Sequence, residues 1–214
     1  MNCRRSRYSI AAIVFTLLWS FADVALGING DERQEITRLA ELTQWAAGTI
    51  VADVGAGDGT YSFLAAEKVG PSGRVYATEI DKEKLKNLRT EVSKRKLDNI
   101  IVVEGTADDT GLPSSCCDTI FLRRVYHHLT QPQKFDSNLV RSLKPGAHLA
   151  IIDFPPNPNF APVDGVPKNR GGHGIPNKVI VEELTSAGLQ VEEVIKDWSA
   201  SDYCVLFVKH SLSK

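Results

Sequence analysis

The residues Asp53-Val54-Gly55-Ala56-Gly57-Asp58-Gly59-Thr60 combine an acid, three glycines at every second position and a hydroxyl. Glycine at that spacing lets a backbone turn tightly off a strand and come close to a ligand. A helix-like pattern opens at Tyr61, and a helix start offers free N–H groups to something polar or anionic. The chemistry is recognition of a nucleotide-type cofactor. Glu79 follows about 20 residues later, where an acid accepts hydrogen bonds from both hydroxyls of a ribose. The pattern is GxGxG followed by Thr60. A dinucleotide fingerprint wants Gly or Ala at that place, which disfavours NAD.

These residues need a scaffold, and the surrounding pattern supplies one. Asp31 to Gln34 has the spacing of a capping box with Asp31 as the cap. Ile36, Leu39, Ala40, Leu42 and Trp45 follow at helical spacing, and Gly48 is expected to end that helix. Strands are expected at 49–54, 74–79, 100–104, 118–122 and 147–154, with helices at 61–69, 82–96, 133–143 and 178–187. Two final strands, 189–195 and 203–209, have no helix between them, so the last should run antiparallel. The result is an α/β domain with a doubly wound, mostly parallel, seven-stranded sheet of Rossmann-like type. It occupies residues 28–214 as a single domain. In such a sheet ligands bind beyond the carboxyl ends of the strands. Those ends carry Asp53, Glu79, Gly105-Thr106-Ala107-Asp108, Arg123-Arg124-Val125-Tyr126-His127-His128 and Asp153-Phe154.

The motif from Asp53 to Thr60 resembles the first motif of class I S-adenosylmethionine-dependent methyltransferases. The acid ending Val75-Tyr76-Ala77-Thr78-Glu79 is similar to that family's ribose ligand. Asp118 to Leu129, with its His pair, and Leu143-Lys144-Pro145-Gly146-Ala147-His148-Leu149 resemble the stretches at its fourth and fifth strands. The resemblance covers residues from about 31 to 210 and is closest to the small-molecule branch typified by ubiquinone and menaquinone methyltransferases. It implies S-adenosylmethionine as cofactor and a small-molecule methyl acceptor. The implied cofactor set is Asp53, Gly55, Ala56, Gly57, Gly59, Thr60, Glu79, Ile80, Thr106, Ala107, Asp108 and Arg123.

Two departures stand out. The family usually has an acid at Thr106, so Asp108 either replaces that contact or the contact is lost. A small polar pair often stands where this chain has Leu122 and Arg123. Arg123 or Arg124 binds the cofactor carboxylate or an anionic substrate, or one of them caps the strand and pairs with a surface acid. Candidates for moving a proton are Tyr126, His127, His128 and Asp153; the alternative for the His pair is a structural helix start. The segment from Pro155 to Asn177 is rich in Pro, Gly and Asn and is longer than an ordinary connection. Within it His173, flanked by glycines, is either part of a mobile lid or a solvated loop residue. A non-catalytic protein that binds S-adenosylmethionine on the same fold, and an NAD-linked oxidoreductase, are the rival functions.

The net charge is -1, so there is no basic footprint and nucleic acid is not an expected partner. Arg4, Arg5 and Arg7 precede the uncharged run from Tyr8 to Ala22, with Ala25-Leu26-Gly27 as a cleavage site. Residues 1–27 therefore read as a signal peptide or signal-anchor, with an organelle presequence as the third reading. Export or membrane anchoring follows, in tension with a cofactor made in the cytosol. Of the four cysteines, Cys116 and Cys117 are adjacent, and no CxxC metal spacing occurs; a thiophilic or redox role stands beside ordinary buried thiols. The sequence does not fix the oligomeric state.

Overall fold

A computed structural model of the protein describes residues 30–210; the basic and uncharged segment 1–27 lies outside them. In chain order the elements are α1 (Gly30–Leu42), β1 (Ile50–Val54), α2 (Thr60–Val69), β2 (Arg74–Glu79), α3 (Lys82–Arg95), β3 (Ile100–Glu104) and β4 (Cys117–Arg123). Then come a 3-10 turn (Tyr126–His128), α4 (Pro132–Ser142), β5 (Leu143–Asp153), a second 3-10 turn (Lys168–Arg170), α5 (Asn177–Ser186), β6 (Gln190–Ser199) and β7 (Asp202–Val208). The strands form one seven-stranded sheet in the order β3-β2-β1-β4-β5-β7-β6. All pairs are parallel except β5–β7 and β6–β7. β7 returns between β5 and β6 because a short turn, not a crossover helix, joins it to β6.

Both faces of the sheet are covered, and alternation along the strands divides the core in two. Val51 and Phe121 join α1, α2 and α3 on one face, while Ala52, Ile120 and Leu122 join α4 and α5 on the other. β1 and β4 lie side by side, and the chain reverses its winding direction between them. That reversal opens a crevice at the carboxyl ends of the central strands.

Three local expectations are corrected. Asp31 lies inside the first turn of α1, where an acid favours the positive end of the helix dipole; it is not the cap. The helix stops at Leu42 and Trp45 folds back over it, its N–H bonded to Ala40 O, well before Gly48. Residues 144–146 belong to an extended run continuous with β5, entered through the extended backbone of Leu143. Asp81 caps α3, its Oδ1 accepting from the N–H groups of Glu83 and Lys84, both at 2.9 Å.

Candidate cofactor site

The crevice holds a cavity of about 760 Å³. Its floor is the glycine turn after β1. Gly55 and Ala56 both donate from backbone N–H to Thr78 O, at 2.9 and 2.8 Å, which clamps the turn onto β2. All three glycines have positive φ, a conformation that L side chains adopt only with strain. Their surroundings differ. A Cβ on Gly55 would lie 2.4 Å from a Val125 methyl, and one on Gly59 would lie 2.4 Å from Leu88. A Cβ on Gly57 would meet nothing within 4 Å. Gly55 and Gly59 are therefore fixed by packing, while Gly57 faces open space and line of approach.

Glu79 ends β2 at the cavity wall. Its Oε1 accepts from the N–H groups of Ile80 and Asp81 at 2.7 and 3.0 Å, and its Oε2 from Gly57 N–H at 3.0 Å. The carboxylate is thus oriented before any ligand arrives, and each oxygen keeps acceptor capacity. Ile80 beside it is 59% exposed and presents a bare apolar face to the cavity. Such a face suits a flat ring, and the oriented acid suits a vicinal diol. The floor therefore fits a nucleoside.

Of the residues expected from sequence, Gly55, Gly57, Glu79, Ile80, Gly105, Thr106, Ala107, Arg123, Arg124, Val125 and His128 line this cavity. Asp53, Ala56, Gly59, Thr60 and Asp108 do not. Asp53 is buried beneath the turn and accepts from Ser62 Oγ at 2.6 Å, tying β1 to α2. Burial, with the nearby charges of Asp58 and Glu79, pushes its carboxyl up to about 7. Asp108 turns outward to Thr106 Oγ1 and Lys134, and these partners hold its carboxyl below the usual range. Asp81, Lys84, Asp109, Thr110, Thr130 and Phe135 line the cavity without having been singled out for it. Asp81 and Lys84 gave a signal, as the opening of a helix directly after a strand-end acid.

The upper wall comes from the segment after β4. Arg123 binds Glu35 through Nε (2.8 Å) and Nη2 (3.2 Å), lies 4.8 Å from the Tyr61 ring centre and has Asp202 at 3.9 Å. Burial raises the Glu35 carboxyl, but hydrogen bonds from Arg123, Ser199 and Tyr61 outweigh it and hold the acid below its ordinary value. Arg124, in the left-handed region at φ 55°, forks onto the fully buried Asp202. Both guanidiniums are thus paired, with buried acids and not with surface ones. They also line a neighbouring cavity of about 540 Å³, together with Tyr61, Arg38 and Trp198.

The candidates for proton transfer separate clearly. The Tyr126 hydroxyl is fully buried and donates to Asp136 at 3.0 Å, so that candidate is corrected to a core residue that does not line the cavity. His127 is buried; its Nδ1 is 2.8 Å from Asp153 Oδ1, and its backbone N–H donates to Asp153 Oδ2. Asp153 therefore serves the His127 turn and does not reach the cavity. His128 does reach it, with its ring 4.0 Å from that of His127. Burial, followed by the charge of His127, holds the His128 imidazole below its ordinary value, so it is neutral near pH 7. His173 stacks beside this pair, 5.4 Å from His127 and 5.0 Å from Phe160.

The loop carrying His173 is fastened down. Arg170 is 1% exposed, binds Glu183 through Nε and Nη2, and donates to Leu129 O (2.8 Å) and Tyr126 O (3.1 Å). A buried guanidinium that bridges the loop, α5 and the His-bearing turn opposes a freely moving lid. Among the described residues, no group of three or more His, Cys, Asp or Glu is placed to hold a metal ion, and no helix is long and apolar enough to cross a membrane.

Comparison with known proteins bears on this geometry. The family described as a methyltransferase domain matches residues 46–193. A demethylmenaquinone methyltransferase of Listeria monocytogenes is 29% identical over 121 residues, 56% of this chain and 50% of that protein. An arsenite methyltransferase of Halobacterium salinarum is 26% identical over 138 residues, 60% of this chain and 35% of that protein. The chain thus spans about half or less of the length of the curated relatives it matches. The crystal structure of a SAM-dependent methyltransferase from Aquifex aeolicus superposes with a TM-score of 0.67 at 27% identity, covering 81% of this chain and 88% of that one. The matched span runs from ahead of β1 into β6 and so contains the whole cavity floor: the chain belongs to the methyltransferase domain family.

Proposed function

We propose that the protein is a methyltransferase that takes its methyl group from S-adenosylmethionine and delivers it to a small-molecule acceptor. The observation that carries this reading is the convergence of the glycine turn, the oriented Glu79 and the bare face of Ile80 on one cavity. Glu79 accepts from the ribose hydroxyls, Ile80 packs on the adenine, and the turn at Gly55 and Gly57 receives the amino-acid end. When bound, S-adenosylmethionine supplies a methyl on a sulfonium, already a good leaving group. The chain's task is then to align the acceptor and exclude water. His128 is the cavity-lining base, neutral at working pH and able to take a proton from an acceptor that carries one.

The activities by which the relatives are named, on demethylmenaquinone and on arsenite, support an acceptor that is small, without choosing between them. The net charge of -1 gives no reason to expect a nucleic-acid acceptor. Residues 1–27 support export or membrane anchoring, which N-terminal sequencing and fractionation of the native protein would test.

The test of the function has two arms. Calorimetry with S-adenosylhomocysteine should give saturable binding that NAD does not compete away. Incubation of the protein with methyl-labelled S-adenosylmethionine and a small-molecule extract should move label into the extract. Binding without transfer would favour a non-catalytic protein; competition by NAD would favour an oxidoreductase.

A further inference from the structure

The other end of β4 carries a feature that the cavity does not use. Cys116 and Cys117 are both free thiols. Neighbours in a regular strand point to opposite faces. Here Ser115 takes a left-handed φ of 49°, Cys116 precedes the strand, and the β4–β5 register shifts between Cys117 and Thr119. Both side chains consequently pack on the same apolar cluster. Cys117 is fully buried and Cys116 is partly exposed. The pair thus has one open sulfur and a second sulfur reached through it.

The surroundings favour reaction at the open sulfur. The neighbouring Cys117 thiol, with the Lys144 and Arg141 charges nearby, holds the Cys116 thiol below its ordinary value against partial burial. Ser142, whose carbonyl accepts from Cys116 N–H at 2.9 Å, is fully buried, and its hydroxyl has no partner among the described residues. A disulfide within the pair is disfavoured. Consecutive Cα atoms are about 3.8 Å apart, short of the roughly 4.4–6.8 Å that a relaxed bridge spans. The pair therefore stays a dithiol.

We propose that Cys116 and Cys117 form a vicinal-dithiol site for a soft, trivalent thiophile of the arsenous class. In the binding step two arsenic–sulfur bonds form and two arsenic–oxygen bonds break, and the two thiol protons leave with the released oxygen as water. The oxidation state of arsenic does not change, so no oxidant is required. The second sulfur acts at the high effective concentration of a neighbour on the same chain, which makes the product a chelate. At about 3.3 Å per residue, the seven residues of β4 put this site about 20 Å from Arg123, away from the cofactor cavity.

The probe is phenylarsine oxide, added to the full chain carrying Cys3→Ser so that the thiol outside the described residues is removed. One equivalent should add, seen by intact mass, and should block maleimide labelling of Cys116. The adduct should survive excess 2-mercaptoethanol and be released by dithiothreitol. Cys116→Ser and, separately, Cys117→Ala should each weaken retention in 2-mercaptoethanol by at least about tenfold, the loss expected when chelation becomes single-point binding. Because Cys116 is not buried, its variant tests the site even if Cys117→Ala does not fold. Absence of an adduct, or an adduct stripped equally fast from the parent and from Cys116→Ser, would overturn the proposal.

Discussion

The two walls of the cofactor cavity are built on opposite plans. The floor, from β1 and β2, is made of backbone: a glycine turn clamped to Thr78 O, and an acid whose orientation is set by three N–H groups. The wall after β4 is made of long side chains, and nearly all of them are already engaged. Arg123 holds Glu35, Arg124 holds Asp202, His127 holds Asp153 and Arg170 holds Glu183. The His128 ring turns to the cavity with no side-chain hydrogen bond among the described residues. A floor of backbone is specific for the constant part of a ligand, because its geometry survives side-chain change. A wall of side chains can change without altering the floor.

The comparison is broken most severely at Arg170. If the wall is one interlocked unit, Arg170→Leu leaves the Glu183 carboxylate and two carbonyls without their partner. The expected loss is about 3–5 kcal/mol of stability, read by denaturant unfolding. A loss below about 1 kcal/mol would return the loop to the surface-lid description. Removal of residues 167–174 would take Arg170 with it, so that deletion tests folding before it tests turnover.

The floor is challenged next at Gly55. Alanine there needs a left-handed backbone and strikes the Val125 methyl at 2.4 Å. Strain and overpacking together should cost about 3 kcal/mol, seen as lost affinity for S-adenosylhomocysteine, as lost stability, or as both. Adding Val125→Ala should recover the packing part only. Full recovery would mean that the turn does not depend on glycine's backbone freedom. Wild-type behaviour of the single variant would remove Val125 from the account.

Glu79→Ala sharpens the contrast at smaller scale. It should weaken S-adenosylhomocysteine binding by about 2 kcal/mol through lost charge-assisted hydrogen bonds. Arg124→Ala should leave that binding within about 0.5 kcal/mol, the usual range for a half-exposed group already paired elsewhere. Equal effects of the two would erase the distinction between floor and wall.

The floor was legible in the sequence and most of the wall was not. Gly55, Gly57 and Glu79 announce themselves because short spacing and strand ends carry their meaning. The sheet order follows from alternating strands and helices and from the missing helix before β7. By contrast, Arg123 meets Glu35 across 88 residues and Arg124 meets Asp202 across 78. No local pattern reports such pairs. A Gly-rich stretch around His173 reads as mobile because the one residue that fixes it, Arg170, is a cation, and cations are rarely buried unless paired. Asp53 was placed at the right strand end, but its side chain points to α2, and the spacing of the motif does not reveal the partner Ser62.

Asp53 supplies the last test and joins both regions through pH. Its carboxyl titrates at about 7 in the folded chain against a usual 3.8, chiefly through burial, and Asp136 in the α4 network behaves alike. A raised folded value means that the native state holds the proton more tightly than the unfolded one. The stability these groups lend is therefore full below about pH 4 and is lost as pH rises through 7. Each contributes a decline of at most about 1.4 kcal/mol per pH unit in that window. Asp53→Asn keeps the bond to Ser62 Oγ but cannot ionise, so its unfolding free energy should fall less steeply between pH 5 and 8 than that of the parent. Because Asp53 lies under the floor and outside the cavity, the same variant should leave S-adenosylhomocysteine affinity at pH 6 nearly unchanged. An unaltered stability slope would mean that the Asp53 carboxyl is ionised in place and that Ser62 alone satisfies it. A steep loss of affinity at pH 6 would instead bring its carboxylate into direct contact with the ligand, and the floor would then contain one working side chain more than Glu79.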